Sequence, residues 1–181
     1  MDMREKLVKS EEIFEGRVIT VKKETVLLPN GEEASREIVL HPGGVAILPL
    51  DDEGNVYMVR QYRRPFDELL LEIPAGKLNY GEDHFECGVR ELEEETGLTA
   101  EKYDYLGQFY VTPGFCREII HIYLARGLKK GEMHLDEDEF LEVEKIPFEK
   151  LLDMVMTNEI TDAKTAIGIL KTKVLLEKEN R

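Results

Sequence analysis

Residues 76–98 read GKLNYGEDHFECGVRELEEETGL, and the fold turns on this stretch. Its second half predicts one helix. Gly81 gives the turn, Glu82 and Asp83 place negative charge in the first turn, and Gly97 supplies the stop. On helical spacing Phe85, Val89 and Leu92 form an apolar arc, while Glu91, Glu94 and Glu95 share a different side. Like charges three and four apart repel, and carboxylates near a helix C-terminus face the negative end of its dipole. Each violation costs a few tenths of a kcal/mol to ~1 kcal/mol. A bound cation would remove both. The ordinary reading of an acidic run is a solvated face, but local rules broken together in one compact place mark a functional site.

The order of residues adds a sharper signal. The stretch follows G-x5-E-x7-R-E-U-x-E-E-x-G-U, with U aliphatic, and every specified position is filled: Gly76, Glu82, Arg90, Glu91, Leu92, Glu94, Glu95, Gly97 and Leu98. This is the Nudix box, and the chain resembles a Nudix hydrolase over nearly its whole length.

At 181 residues the chain can bury a proper core as one domain with a small appendage. A formal net charge of −14 argues against nucleic-acid backbones and anionic membrane surfaces as partners. Cys87 and Cys116 have the spacing of neither a disulfide framework nor a zinc site, which suits a reducing cytosol. The mixed-charge start, MDMREKLVKSEE, is not a signal peptide, and no run reaches the ~20 apolar residues of a membrane span. A soluble, cytoplasmic protein is expected.

Along the chain, Val18 to Leu28 and Arg36 to Leu40 predict two strands around the turn Pro29-Asn30-Gly31. They form a β appendage over 1–41, and His41-Pro42-Gly43-Gly44 breaks the chain before a main domain over 42–181. Strand-like runs follow at Val45–Leu50, Val56–Arg63, Glu68–Ile73, Tyr103–Val111, Glu118–Ala125 and Leu141–Ile146. Phe148–Met156 and Thr161–Leu176 read as helices. The second takes Thr161 as N-cap and carries Ala163, Ile167, Leu170 and Val174 as its stripe. Strands with the box helix between them and helices at the end give an α/β fold. The resemblance implies the Nudix α/β/α sandwich with a mixed sheet.

Clustered carboxylates without a His/Cys set point to a hard cation held by oxygen, magnesium first and manganese second. By resemblance, Glu91, Glu95 and the backbone carbonyl of Ala75 are metal ligands, and Glu94 is a ligand or its partner. Arg90 is expected to brace Glu82 and to pair with Glu94. In the acidic stretch Leu135 to Glu139, the resemblance makes Glu137 the general base and Glu139 a further metal ligand. His84 lies on the Glu91 face and is expected to be solvated, while His121 is expected to be structural.

Features outside the box bear on the substrate. Pro113 lies sixteen residues after Gly97, a spacing similar to that of the ADP-ribose pyrophosphatase subfamily. The segments RQYR at 60–63, EIPAGK before the box, and DEDEF and DAKT after it resemble the same group. Arg63 is a candidate for the substrate phosphates, since its planar fork suits a pyrophosphate oxygen pair. Relatives hold the adenine with the appendage across a dimer interface. This makes Arg36 and Glu37 substrate candidates, with Val18 and Arg36 where some relatives carry base-stacking aromatics. Glu118 is a candidate for the terminal ribose or the metals. The resemblance thus implies magnesium-dependent hydrolysis of ADP-ribose to AMP and ribose 5-phosphate by a homodimer joined through the N-terminal segment. Another nucleoside diphosphate sugar, such as ADP-glucose, and a non-catalytic nucleotide-binding module are the alternatives.

Overall fold

The computed structural model of the chain describes residues 2–135 and 139–179. It divides into two compact units, Met1–Gly43 with Tyr110–Ile119, and Gly44–Phe109 with Ile120–Arg181.

The first unit is an antiparallel sheet in the order β1 (Lys6–Glu15), β2 (Thr20–Leu27), β3 (Glu33–Leu40). The β2–β3 turn closes through the Leu28 amide donating to the Glu32 carbonyl at 2.8 Å, with Gly31 at φ 88°. That positive φ is the reason for glycine at the turn. Strand β1 was not expected from its mixed charge. It forms because that charge is matched across the ladder, where Glu11 faces Lys23 and Glu12 faces Lys22, with Phe14 against Val21. Loop residues complete the unit: the Val39 amide donates to the Phe115 carbonyl and the Arg117 amide to the Val39 carbonyl, both at 2.8 Å.

The second unit holds two sheets. One runs β7 (Ala75–Lys77), β4 (Gly44–Pro49), β9 (Ile119–Lys130), β8 (Leu98–Tyr110). The other runs β10 (Leu141–Pro147), β5 (Asn55–Arg63), β6 (Glu68–Glu72). Strand β4 pairs parallel with β9 and antiparallel with β7, so the sheet is mixed. The continuous apolar run of β4 is explained by burial on both faces. Ala46 and Leu48 enter one core with Ile122, Leu124 and Ile169, while Val45 and Ile47 enter a second with Cys87, Leu92 and Tyr123. Helix α1 (His84–Thr96) covers the second core. Helices α2 (Phe148–Met156) and α3 (Ala163–Glu179) cover the first. The result is the expected α/β/α layering. Strand β7 runs into the start of the box, a strand too short to show a period in sequence.

Helix α3 departs from its expected stripe. Leu170 and Val174 are 43% and 51% exposed, and the buried face is Thr165, Gly168, Ile169 and Thr172. Small residues let the helix axis approach the sheet: a β-carbon on Gly168 would lie 3.1 Å from Ile73 Cδ1. Asp162, rather than Thr161, caps the helix. Its Oδ2 accepts from the Thr165 amide at 2.9 Å and from Thr165 Oγ1 at 2.6 Å. Thr165 Oγ1 in turn accepts from the Ile73 amide at 2.9 Å, locking α3 to the segment that precedes the box. Thr165→Val keeps the shape but leaves that buried amide without a partner, so stability should fall by ~1–3 kcal/mol. Chemical denaturation reads this directly, and an unchanged midpoint would contradict it.

Candidate functional site

Helix α1 is built as its sequence suggests at both ends. Asp83 accepts from the Phe85 and Glu86 amides, and Gly97 closes the helix at φ 66°. Its faces differ from expectation. The buried stripe is Cys87, Gly88, Glu91, Leu92 and Glu95, while Phe85 is exposed and Val89 half-buried. Two of the three carboxylates therefore point inward, against strands β4 and β7. Glu95 is 2% exposed, and its Oε2 accepts from the Ala75 amide at 2.9 Å.

The first glycine of the box has a steric cause. A β-carbon on Gly76 would fall 1.8 Å from Glu91 Cδ, so only a residue without a side chain lets the Glu91 carboxylate rest on strand β7. Arg90 binds the outer carboxylates, Glu82 Oε1 at 3.1 Å, Glu91 Oε1 at 2.8 Å and Glu94 Oε2 at 2.6 Å. Glu82 also accepts from the Asn79 amide at 2.8 Å, so the expected brace ties the 79–82 loop to the helix. A cavity of about 480 Å3 opens here, lined by Gly76, Lys77, Asn79 and Arg90 together with Glu91, Glu94 and Glu139.

The charge balance of this cavity is unfavourable. Burial, reinforced by Glu94 and Glu139 and opposed by Arg90, pushes the Glu91 carboxyl up to about 7. Burial, with Glu91 and Glu139 adding to it, pushes Glu95 up to about 8. Among the described residues no three His, Cys, Asp or Glu side chains form a ready-made cage, and Arg90 stands between Glu91 and Glu94. The chemistry of the donor set still fits a hard divalent cation. Its side-chain donors are all carboxylate oxygens, and a cation offsets the burial and the mutual repulsion that raise two of them.

Arg63, the candidate for the substrate phosphates, already has a protein partner. Its Nε and Nη2 donate to Glu72 Oε1 and Oε2 at 2.7 and 2.8 Å, in a bidentate pair with a carboxylate that is 1% exposed. Lys164 Nζ also donates to Glu72, and lies 3.0 Å from Asp162 Oδ1. This buried network was missed from sequence. Its residues lie within RQYR, EIPAGK and DAKT, segments notable only for their resemblance.

The remaining substrate-binding candidates fall in the first unit. Arg36 pairs with Glu5, Glu37 is exposed on β3 opposite Lys23, and Val18 is exposed. Pro113 lines a cavity of about 530 Å3 with Ile38, Tyr110 and Phe115, and Glu118 faces His41 at 3.5 Å. Glu137 lies outside the described residues. His84 is not solvated as expected: it stacks on His121 at 3.9 Å between ring centroids and shares a 2.6 Å hydrogen bond with the Tyr123 hydroxyl.

The raised carboxyls give a signed prediction. Folded Glu95 holds its proton up to about 8, whereas unfolded it releases it near 4.5. Between those values the folded state binds more protons, so the stability contributed is present below pH 4.5 and is lost as pH rises through 8. Glu91 acts in the same direction up to about 7. With divalent cations chelated, Tm should therefore fall from pH 5 to pH 8, and millimolar magnesium should shrink that fall. A metal-free Tm that rises over this window would contradict it.

Known proteins place this geometry in a family. Residues 40–166 match the NUDIX domain, and residues 5–39 match the nucleoside diphosphate sugar hydrolase N-terminal domain. The chain is 48% identical to the ADP-ribose pyrophosphatase of Bacillus subtilis (strain 168), over 92% of this chain and 91% of that one. It is 46% identical to the methanol dehydrogenase activator of Bacillus methanolicus, over 91% of this chain and 90% of that one. A crystal structure of an ADP compounds hydrolase superposes with a TM-score of 0.89 at 22% identity, over 100% of this chain and 99% of that one, which shows the shared fold. With its box intact and the domain match spanning most of its length, the chain belongs to the Nudix family.

Proposed function

We propose that this chain hydrolyses the pyrophosphate of ADP-ribose to AMP and ribose 5-phosphate, with magnesium as its cation and manganese as a substitute. The observation that carries the reading is the set of carboxylates gathered at one cavity on α1, in a chain with 48% identity to an ADP-ribose pyrophosphatase. The two matched segments support an N-terminal segment over 1–41 and a hydrolase domain over 42–181.

Glu91, Glu95, Glu139 and the Ala75 carbonyl would hold the cation, with Glu94 as a ligand or its neighbour. When bound, the cation neutralises phosphoryl oxygens and makes a water more acidic. The protein's own groups do the rest. Arg90 fixes Glu94 and Glu91 and, through Glu82, the loop over the cavity. Glu95 anchors the Ala75 backbone. Arg63 presents a guanidinium suited to a pyrophosphate oxygen pair. Glu137 takes the proton of the attacking water, since carboxylates committed to a cation are poor bases. Arg36, Glu37, Pro113 and Glu118 contribute to substrate recognition.

The N-terminal sheet supports a homodimer. Leu7, Val8, Ile13 and Phe14 are all exposed along the ten-residue edge strand β1, and an exposed apolar edge strand invites pairing with another chain. No described helix is long and apolar enough to cross a membrane. That fact, the two free thiols and a nucleotide substrate support a cytoplasmic location.

Product analysis with magnesium over a panel of nucleoside diphosphate sugars tests the substrate, and ADP-glucose cleaved faster than ADP-ribose would reassign it. Glu137→Gln should lower kcat ~10²–10⁴-fold with little change in substrate binding, while Glu139→Gln should raise the magnesium needed for half activity. If Glu137→Gln turns over within about threefold of the parent, on the tenfold-per-1.4 kcal/mol scale too little for a lost base, the base lies elsewhere. Sedimentation should show a dimer, and Phe14→Glu should shift it toward monomer. A parent that sediments as a monomer while fully active would refute the assembly.

A further inference from the structure

A buried charge network stands at the end of β5, outside the carboxylate cavity, and the box accounts for none of it. Glu72 and Asp162 face Arg63 and Lys164, two carboxylates against two cations. Burying four charges gains little net stability over an apolar core of the same volume. Thr165 and the Ile73 amide already join α3 to this segment without any charge. The network is also asymmetric. The Arg63 side chain is 37% exposed against 1% for Glu72, and the clamp uses Nε and Nη2. One edge of the guanidinium is thus fixed inside while part of the group remains open to solvent. Burial alone would raise the Glu72 carboxyl, yet the Arg63 hydrogen bonds and the Lys164 charge outweigh burial and hold it below the usual range.

We propose that Glu72 and Lys164 are positioning residues for anion binding: Glu72 clamps one edge of Arg63 so that the other is presented to a pyrophosphate, and Lys164 offsets the charge of Glu72. The proposal rests on the hydrolase reading for what Arg63 engages. A clamped guanidinium loses less rotamer entropy when it binds an oxygen pair than a freely moving one does. Lys164 is required because Arg63 alone cannot balance both Glu72 and Asp162, and the negative charge left over would repel an anion. With Lys164 present the network is neutral, and without it the network carries one net negative charge.

The test is calorimetric titration of α,β-methylene ADP, whose bridging carbon resists hydrolysis, into the full-length protein with magnesium. Glu72→Gln should weaken binding about tenfold in the parent, and by less than about twofold when Arg63 is already Met, because a residue that acts through Arg63 has nothing to act on once it is gone. Equal losses in both backgrounds, or no loss in the parent, overturn the proposal. Lys164→Met leaves the Arg63–Glu72 pair intact and keeps the idea testable if Glu72→Gln does not fold. It should weaken binding about threefold, with Lys164→Arg restoring it, and binding by Lys164→Met equal to the parent's overturns the proposal. The two readings fail separately. A parent that turns over no nucleoside diphosphate sugar sinks the hydrolase reading, while the binding cycle still decides the role of Glu72.

Discussion

Two carboxylates buried side by side on the inner face of α1 are the constraint on which the rest of this structure depends. Burying one ionised carboxylate costs several kcal/mol unless it is paired, and a second nearby raises the cost. Glu91 and Glu95 sit there nonetheless, pushed up to about 7 and about 8. The surrounding sequence is arranged to keep them. Gly76 has no side chain, so Glu91 can lie on β7. The Ala75 amide donates to Glu95. Arg90 supplies one positive charge to three carboxylates, which leaves negative charge over. Such a residue of charge in a cavity is how an apoprotein prepares for a cation.

Much of this is legible in the amino-acid sequence. Gly81, Asp83 and Gly97 marked the helix, because turn and cap chemistry is local. The apolar run at β4 marked a strand, and the fold buries it on both faces. The pairing of Arg90 with Glu82 and Glu94 follows from helical spacing and the box. What spacing could not supply was the direction of α1. Its apolar and acidic arcs are both visible in sequence, but which one faces the sheet depends on where β4 and β7 lie. The acidic arc won over part of the apolar one, leaving Phe85 exposed.

Other misses share a cause, in that long-range partners decide them. Strand β1 looks like a charged tail until β2 supplies lysines opposite its glutamates. Helix α3 buries threonines and a glycine, because close approach to Leu48 on β4, Ile122 on β9 and Ile73 favours small residues over the stripe of Ala163, Ile167, Leu170 and Val174 that periodicity selects. Arg63 reads as an open phosphate ligand, yet its Nε and Nη2 are bound to Glu72, which is itself held by a lysine from α3. His84 reads as solvated because its partners, His121 and Tyr123, come from β9.

The central claim is that the inner carboxylates of α1 hold a divalent cation. Manganese is the most direct probe, since its paramagnetic resonance signal in solution is lost on binding and magnesium competes for the same site. Titrating manganese into the protein should show saturable binding that magnesium displaces, and Glu95→Gln should weaken it by ~10–100-fold, the scale for losing a metal-site partner. Equal manganese affinity in the parent and in Glu95→Gln would contradict the account.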